Sequence, residues 1–467
     1  MKILLINPSS FEVYGGLPPA FQIPLGLAYI ASVTEKADYD VEIIDIDAEN
    51  LTEQQFVKRI TEINPDIVGI TCTTPVYSNA VKVAEIVKKT SNTVTVLGGI
   101  HPTLVPEESI KPSSIDIVVK GEGEKTFLEL LKCIETRDDL LKVNGIVFKR
   151  NDKIITTPER KLILNLDEIP FPARHLFKTQ KYTYPDSLKK RTFPIITSRG
   201  CPGRCTYCNT QYIFGHRFRF RSAKNVVEEI KLLINKYGAE EIHIWDDNFT
   251  TNKNRVFEIR DELKKSDIKI KFAFPNGLRA DFLNEEILKC LKEMGTYSIA
   301  IGVESGSQMI LNRTKKNIKL EKIQDAFKIA KKLKLETWAF FMFGLLGETK
   351  ETIQETINFA KKLDPDIAKF HILKPYPGTE IYDELKKNGL LLTEEYSNYG
   401  IHTPPVHKLP DLTAEEILNW QKTAYLKFYF RFKKIFQQIY RLKSLYRIKL
   451  NLLMAFAFFK KLFFRKQ

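Results

Sequence analysis

The chain has 467 residues, of which 43% are apolar and 28% are charged, and this balance excludes an intrinsically disordered protein. Its six cysteines are too few for a disulfide-stapled scaffold, so we expect free thiols or metal ligands in a reducing compartment. We find no apolar run long enough to span a bilayer and no signal peptide, so the sequence predicts a cytoplasmic protein of about three domains.

The net charge of +15 is concentrated at one end of the sequence. Residues 421–467 hold 13 Lys or Arg and no Asp or Glu, whereas the rest of the chain is nearly neutral. Any partner that is attracted by positive charge should therefore bind these last residues.

Residues 1–145 alternate short apolar runs with helical patterns. The predicted strands are residues 2–7, 41–47, 67–71, 93–97 and 115–119. Nearly continuous apolar runs are typical of parallel strands that are covered on both faces, so this part predicts a doubly wound parallel sheet. In such a sheet the ligand crevice lies at the carboxyl ends of the strands. The candidate binding residues there are Thr73, Gly98, Gly99, His101, Gly121 and Glu122.

Residues 146–190 predict a short hairpin followed by an interdomain linker, and residues 191–390 begin a second strand–helix series. Its predicted strands are residues 195–198, 241–245, 270–274, 298–303, 337–343 and 366–372. Six strand–helix units favour a partial, TIM-like (β/α)6 barrel over a complete eight-stranded one, with its functional groups at the carboxyl ends of the strands. Residues 391–467 predict a C-terminal helical region with a basic tail.

Three cysteines, Cys201, Cys205 and Cys208, directly follow the first strand of the second series with the spacing C-x3-C-x2-C. Three thiolates in one loop can ligate three irons of a 4Fe-4S cluster and leave the fourth iron open. A structural zinc site would need a fourth protein ligand, for which His216 is the candidate. Three unrelated buried cysteines are the remaining alternative. Half of all the cysteines fall within eight residues, which favours the iron–sulfur cluster.

This loop resembles the radical SAM superfamily, because Tyr207 precedes the last cysteine and a motif follows each later strand in order. These motifs are Asp246-Asp247-Asn248, Asn276-Gly277-Leu278-Arg279, Gly302-Val303-Glu304-Ser305, Gly344-Leu345-Leu346-Gly347-Glu348-Thr349 and Lys374-Pro375-Tyr376-Pro377-Gly378-Thr379. The resemblance implies that the open iron binds S-adenosylmethionine, which is cleaved to a 5′-deoxyadenosyl radical.

The same resemblance implies a set of S-adenosylmethionine contacts. They are Tyr207, Asp247, Asn276, Arg279, Glu304, Ser305 and Gly347. Glu304 is expected to accept hydrogen bonds from the ribose hydroxyls, and Arg279 is expected to pair with the methionyl carboxylate. The alternatives are a salt-bridged carboxylate for Glu304, a surface arginine for Arg279 and a solvated turn for Asp246 and Asp247.

The sheet that precedes this core resembles the cobalamin-binding domain of the cobalamin-dependent radical SAM family. Gly98, Gly99 and Gly121 lack a Cβ, so their backbone can approach the corrin and its nucleotide tail closely. The sequence contains no D-x-H-x-x-G motif, so we do not assign His101 as a cobalt ligand. The alternative is that the sheet binds another nucleotide or only a substrate.

Residues 411–449 predict a helix whose apolar positions recur every three to four residues. Basic side chains take another face, a pattern that is typical of helices at a membrane surface. Nucleic acid is a competing partner, because aromatic and basic side chains together can stack bases. The remaining alternative is a helix that packs on the barrel. The continuous apolar stripe favours lipid, so nucleic acid is the less favoured partner.

These features together predict a cobalamin-dependent radical SAM enzyme. The favoured reaction is C-methylation of an unactivated carbon. The basic tail indicates a lipid or other membrane-associated substrate and a peripheral position on the inner face of the membrane; otherwise the substrate is a small molecule. A flavodoxin or ferredoxin is the expected electron donor. A tetrapyrrole-type cyclase or oxidoreductase without methyl transfer, a tRNA-modifying enzyme and a zinc-bearing interaction module stay open. No catalytic side chain is assigned, because the cofactors carry the chemistry.

Overall fold

The structure is a computed structural model that describes residues 1–14, 22–184 and 186–441. Two large sheets, each flanked by helices, are joined by the segment between residues 157 and 191. Within the described ranges, no helix combines the length and the hydropathy that crossing a bilayer requires.

In the described part of the chain, the first sheet has seven strands in the order β2-β1-β3-β4-β5-β6-β7. They are β1 (Lys2–Asn7), β2 (Asp40–Asp45), β3 (Ile67–Thr71), β4 (Val94–Gly98), β5 (Ile117–Val119), β6 (Ile146–Arg150) and β7 (Lys153–Thr156). The first five strands pair in parallel, as the sequence predicts, whereas β6 and β7 pair antiparallel. The predicted hairpin therefore extends the first sheet.

The helices of the first unit cover both faces of its sheet. They are α1 (Leu25–Glu35), α2 (Ile46–Glu49), α3 (Glu53–Ile63), α4 (Tyr77–Thr90), α5 (Ile100–Leu104), α6 (Pro106–Ser109) and α7 (Gly123–Glu135). The local sequence of helix α3 explains where it begins and which face it buries. Thr52 and Gln55 form a capping box at its start, and Phe56, Ile60 and Ile63 lie on its buried face.

The second sheet has six described strands, all parallel, in the order β15-β14-β13-β12-β11-β8. They are β8 (Thr192–Ile195), β11 (Glu241–Ile244), β12 (Lys271–Leu278), β13 (Thr296–Glu304), β14 (Glu336–Phe343) and β15 (Ile367–Ile372). Two short strands, β9 (Ser198–Arg199) and β10 (Arg219–Phe220), pair antiparallel beside them. The predicted first strand, residues 195–198, thus divides into the end of β8 and the start of β9.

Helices connect these strands and continue past them. They are α8 (Thr210–Phe214), α9 (Ala223–Tyr237), α10 (Lys253–Lys265), α11 (Glu285–Glu293), α12 (Gln308–Arg313), α13 (Leu320–Lys332), α14 (Lys350–Leu363), α15 (Glu380–Lys387), α16 (Ala414–Tyr429) and α17 (Phe432–Arg441). Helix α9 begins at the Ser222 cap, whose hydroxyl accepts from the Asn225 N–H, and ends at Gly238, which has φ +63°.

Helix α16 packs against the edge of the second sheet. Its Tyr429 hydroxyl bonds both backbone groups of Ala368 at 3.0 Å, and Tyr425 and Gln421 bond the backbone of Phe370. These side chains satisfy backbone groups that an edge strand would otherwise leave open to another chain. The expectation that the apolar stripe faces lipid is wrong for Tyr425 and Phe428, because both rings pack on Phe370 of the sheet.

The helix is interrupted between α16 and α17, so residues 411–441 do not form the single predicted helix. Three phenylalanines near this break are largely exposed, Phe430 at 78%, Phe432 at 86% and Phe436 at 70%. The basic residues Lys433 and Lys434 both pair with Asp364. The remainder of the predicted tail, residues 442–467, lies outside the described residues.

Candidate active site

The three cysteines of the motif lie in the loop between β9 and α8, next to the carboxyl ends of the second sheet. All three are free thiols, with Cys205 buried and Cys201 and Cys208 half-buried. Burial raises the pKa values of the Cys201 and Cys208 thiols. At Cys201 the Gly203 N–H, which donates to Sγ, offsets only part of this increase in pKa. Iron that binds here therefore has to displace the thiol protons.

Two aspartates after β11 anchor this loop. Asp247 accepts from the Gly200 N–H at 3.0 Å and from the Thr210 hydroxyl at 3.1 Å, so it holds both ends of the cysteine loop. Burial raises the pKa of Asp247. Asp246 is buried and accepts from the backbone and hydroxyl of Thr197, directly before β9. Both carboxylates thus position the loop through hydrogen bonds.

Arg279, at the end of β12, lies against the cysteines. Its Nη1 is 3.8 Å from the Cys205 Sγ, and Nε and Nη2 pair with Asp281. A Cβ on Gly203 would stand 2.9 Å from the Arg279 Nη1 and 3.4 Å from the Cys201 Sγ. Glycine at this position thus leaves room for the guanidinium beside the thiols, which a Cβ would push away. The expected carboxylate pairing of Arg279 is made here by Asp281, and its contact with S-adenosylmethionine stays a prediction.

Glu304 ends β13 with a left-handed backbone, at φ +64°, which is rare outside glycine and is frequent at functional sites. Its carboxylate pairs with the Lys316 ammonium at 2.9 Å, so the salt-bridge alternative describes its present partner. A Cβ on Gly302 would lie 2.8 Å from the Glu304 Oε1, so Gly302 makes room for this ion pair. Burial and then the charge of Glu304 raise the pKa of the Tyr207 hydroxyl.

The other expected S-adenosylmethionine contacts differ in accessibility. Asn276 is exposed near the end of β12, and its amide donates to the Asp246 carbonyl at 3.2 Å. Ser305 is fully buried, and its hydroxyl is 3.1 Å from that of Thr356, so its side chain is in the core. Gly347 has φ +86° and packs against Arg313. Asn276 therefore keeps an accessible side chain, whereas Ser305 can contact a cofactor only through its backbone.

This loop fits an iron–sulfur cluster better than a single metal ion. Residues 201, 205 and 208 place three soft sulfur donors on one loop, with an N–H directed at Cys201 and a guanidinium directed at Cys205, and hydrogen bonds and charge at the sulfurs stabilise such clusters. Among the described residues, no three His, Cys, Asp or Glu side chains are grouped closely enough to hold one ion. A cubane spaces its ligands more widely than zinc does, since each thiolate binds a different iron.

A cavity of about 560 Å³ lies between the two units. One wall comes from the carboxyl ends of the first sheet, where Asn7, Asp45 and Thr73 line it. The other wall includes Asn209, the residue after Cys208, and Tyr376, which follows β15. The strand ends of the first sheet, the residue after Cys208 and the segment after β15 therefore face a common space.

The glycine loops of the first sheet border the same edge. Gly99 has φ +112°, and a Cβ there would lie 2.6 Å from the Cys72 carbonyl oxygen, so only glycine fits. Gly98 precedes it at the end of β4. Gly121 has φ +70° with nothing within 4 Å of an added Cβ, and its N–H donates to the Thr103 hydroxyl, which donates to the Gly99 carbonyl. These loops are tied together and present open backbone, as a large planar ligand requires.

His101 is enclosed. Its ring lies 4.4 Å from that of Tyr77 and 4.6 Å from that of Tyr396, and burial lowers its pKa to about 3. The imidazole is therefore neutral, and Tyr396, from the C-terminal region, packs against the first unit through it. Its contact with a cofactor stays a prediction.

Glu122, an expected cofactor residue, has several buried partners in the protein itself. Its carboxylate accepts from Arg199 at 3.0 Å, from Arg219 at 2.8 Å and from the Ile163 N–H at 2.8 Å, and all of these groups are buried. Glu124 also pairs with Arg199. Because both oxygens are engaged, Glu122 joins the first unit to the segment that precedes Cys201. The structure thus gives Glu122 an interdomain ion pair, and its contact with a cofactor stays a prediction.

Several residues near the site were not predicted from the sequence. Arg199 and Arg219 carry the interdomain pair, and Lys316 pairs with Glu304. Lys369 and His371 lie on β15, and their alternation with apolar residues in a predicted buried strand was the one available signal.

Two family models match the chain in the order that the fold shows. The B12 binding domain matches residues 14–131, and the Radical SAM superfamily matches residues 195–360. The first covers the sheet with the glycine loops, and the second covers the sheet with the cysteine loop. Fold and site thus define a radical SAM enzyme with a cobalamin-binding domain.

Three relatives match most of this chain. An uncharacterised methyltransferase of Pyrococcus horikoshii is 39% identical, over 94% of this chain and 95% of the relative. A cytidylyl-2-hydroxyethylphosphonate methyltransferase of Streptomyces wedmorensis is 31% identical, over 84% and 83%. An anaerobic magnesium-protoporphyrin IX monomethyl ester cyclase of Rubrivivax gelatinosus is 30% identical, over 100% and 84%.

Two solved structures share the fold. The radical S-adenosylmethionine methyltransferase TsrM of Kitasatospora setae, with cobalamin and a 4Fe-4S cluster bound, gives a TM-score of 0.69 at 18% identity, over 83% of this chain and 75% of TsrM. The cobalamin-dependent radical enzyme OxsB, with aqua-cobalamin bound, gives 0.74 at 19%, over 97% and 71%.

The chain belongs to the cobalamin-dependent radical SAM family, whose members among these relatives include methyltransferases and a cyclase. The predicted family and its three cofactors, a 4Fe-4S cluster, S-adenosylmethionine and cobalamin, are confirmed.

Proposed function

We propose that this protein is a C-methyltransferase that acts on an unactivated carbon of a substrate held between its two units. The cavity lined by Asn7, Asp45 and Thr73 on one side and by Asn209 and Tyr376 on the other carries this proposal. It lets one substrate reach both the cobalamin edge of the first sheet and the cysteine loop.

The side chains hold and orient the reactants. When bound, the cluster, S-adenosylmethionine and cobalamin supply the radical and methyl-transfer chemistry. Cys201, Cys205 and Cys208 would ligate the cluster, and Arg279 places its positive charge beside their sulfurs. Gly99 and Gly121 would contact cobalamin through their backbone. Asp247 keeps the cysteine loop in place through Gly200.

The test is anaerobic reconstitution of the full chain with iron, sulfide and cobalamin. Reconstituted enzyme is incubated with S-adenosylmethionine and with extracts of a strain that lacks the gene, and products are compared with the parent strain by mass spectrometry. We expect a product one methylene heavier, with formation of 5′-deoxyadenosine and S-adenosylhomocysteine. A reaction that yields 5′-deoxyadenosine but no S-adenosylhomocysteine and no added methyl group would overturn the methyltransferase proposal.

Formation of 5′-deoxyadenosine without S-adenosylhomocysteine would favour the alternative function, a tetrapyrrole-type cyclase or oxidoreductase without methyl transfer. The similarity to the Rubrivivax gelatinosus cyclase, over the full length of this chain, supports this alternative. The similarity to two methyltransferases, one of them at higher identity over nearly equal lengths, supports the first proposal.

We further propose that the C-terminal segment associates with a membrane surface. The exposed rings of Phe430, Phe432 and Phe436 support this, since aromatic side chains insert into the bilayer interface. The described basic residues contribute little, because Lys433 and Lys434 pair with Asp364.

Flotation with anionic and neutral vesicles tests the membrane proposal. We expect the full chain to float with anionic vesicles and the F432S/F436S double variant to float less. The matched control is Leu164→Ser, which removes an apolar side chain that is 62% exposed in the linker. Retention of tRNA without lipid binding would replace the membrane with RNA as the partner.

The half-buried Cys201 and Cys208 thiols also leave the cluster loop open to a one-electron donor. We propose a flavodoxin or ferredoxin in this role. Support of 5′-deoxyadenosine formation by chemical dithionite alone, and by neither of these proteins, would contradict it.

A further inference from the structure

Two basic side chains on β15 have no hydrogen-bonding or ion-pair partner among the residues that the structure describes. Lys369 and His371 are both half-buried, and they are two residues apart, so they share one face of the strand. We call this face of β14 and β15 the inner face, because the opposite face carries Phe341, Phe343 and Phe370, which stack together, and Phe370 packs on α16.

Aromatic side chains of β14 form the floor beneath the two basic groups. The Lys369 ammonium lies 4.7 Å from the centre of the Trp338 ring and 5.7 Å from that of Phe340. The His371 ring meets Phe340 edge-on at 5.9 Å. A positive charge over aromatic faces is partly stabilised, but its N–H groups remain without acceptors.

The acidic side chains nearby do not neutralise these groups through contacts. Glu336 accepts from the Trp338 indole N–H at 2.9 Å, and Glu304 is paired with Lys316. Asp186, in the segment before β8, raises the pKa of Lys369 through space, but burial is the larger effect and lowers it. Burial and then the charge of Lys369 lower the pKa of His371 to about 4.

The strand thus places one ammonium and one neutral imidazole side by side, half-buried over aromatic rings. Hydrogen-bond donors that lose water without gaining a partner cost free energy, and an anion that accepts from both groups would remove that cost. An ammonium and an imidazole beside an aromatic floor are typical of a site for an anionic ligand with an apolar body.

The inner face leads to the candidate active site. Phe340 lies 3.6 Å from the position of a Cβ on Gly277 and pairs in register with Gly302, which adjoins the Glu304 carboxylate. Toward the carboxyl end, β15 continues to Tyr376, which lines the cavity between the units. A ligand held by the two basic groups would thus direct its body along the strand toward that cavity.

We propose that Lys369 and His371 form a subsite for an oxyanion of the substrate, such as a phosphate, phosphonate or carboxylate group. That the anion belongs to the substrate rests on the proposed function, whereas the binding of an anion at this site does not. The neighbouring apolar residues Trp338, Phe340 and Met342 would cover the part of the substrate next to the anion.

Isothermal titration calorimetry of the reconstituted full-length enzyme with inorganic phosphate, at constant ionic strength, tests the subsite. Acetate is the carboxylate arm, and glycerol is the neutral control. We expect saturable phosphate binding that weakens about tenfold or more in Lys369→Met and in His371→Leu, since each removes a charge-assisted hydrogen bond. Lys369→Arg keeps the charge and should bind phosphate within a few fold of the native chain.

The matched control is Lys427→Met. Lys427 lies 5.8 Å over the Trp420 ring on α16, so it is a second lysine–tryptophan pair outside the inner face. Phosphate binding should be unchanged in this variant. Binding that persists in Lys369→Met and His371→Leu, or that falls equally in Lys427→Met, would overturn the subsite, as would the absence of saturable binding.

S-adenosylmethionine carries a carboxylate and is the rival source of the anion. Full displacement of phosphate by S-adenosylmethionine would assign these residues to the cofactor and overturn the proposal, whereas simultaneous binding supports it. The titration needs no turnover. Anion binding without methyl transfer would therefore reject the proposed function alone, and methyl transfer without anion binding would reject the subsite alone.

Discussion

Replacing Glu122 by Gln removes one charge from the buried ion pair that joins the two units. In the native chain, the carboxylate accepts from Arg199 at 3.0 Å and from Arg219 at 2.8 Å. Arg199 keeps Glu124 as a partner, but among the described residues Arg219 keeps only the carbonyls of Ile163 and Phe214. The variant therefore leaves one positive charge without a counter-charge in the protein interior.

The structure sets the size of this effect. Glu122 is 3% exposed and Arg219 is 2% exposed, so solvent cannot screen the lost interaction. Removing one partner of such a buried pair costs about 3–5 kcal/mol of unfolding free energy. At about 2–4 °C per kcal/mol for a domain of 150–250 residues, the melting temperature should fall by roughly 6 °C or more. Iron retention should also fall, because Arg199 precedes Cys201 by two residues.

Thermal unfolding of the cofactor-free chain, together with its iron content after reconstitution, measures both effects. The control is Glu159→Gln, since Glu159 is 89% exposed and 3.9 Å from Lys120, and an exposed pair contributes about 0–1 kcal/mol. The E122Q/R219Q double variant should recover part of the loss, because no unpaired charge remains. If Glu122→Gln melts like Glu159→Gln and loses only cobalamin affinity, the sequence-based cofactor role is right and the ion-pair reasoning is wrong.

Three further predictions follow from single residues. Burial raises the pKa of Glu348 from 4.5 to about 8, so the stability from its protonated form is complete below about pH 4.5 and is lost as the pH rises through about 8. Glu348→Gln should flatten this decline in melting temperature, and an unchanged profile would contradict the assignment. Gly99→Ala forces a Cβ to 2.6 Å from a backbone carbonyl oxygen, so it should retain less cobalamin than Gly121→Ala, which shares the positive φ without the clash; equal retention would count against it. Cys205→Ala should abolish 5′-deoxyadenosine formation, whereas Cys290→Ala, buried away from the loop, should keep both iron and activity; activity in Cys205→Ala would refute the cluster assignment.

Local features of the sequence were enough to predict both sheets and their chemistry. Cys201, Cys205 and Cys208 lie on one loop in any fold of this chain, because only eight consecutive residues contain all three. The Ser222 cap and the Gly238 stop of α9 are likewise local, since the backbone of a few residues determines them. The motifs after successive strands share one edge because parallel strands place all their carboxyl ends together.

The tertiary structure decided the partners of these residues. Glu122 meets Arg199 across 77 residues and His101 meets Tyr396 across the two units, and a pattern in the sequence shows that a residue is buried but not what it contacts. Helix α16 has the amphipathic pattern of a membrane-surface helix, yet its apolar face packs on the β15 edge. The periodicity of a helix predicts that its apolar face is buried. Only the tertiary packing decides whether protein or lipid buries it.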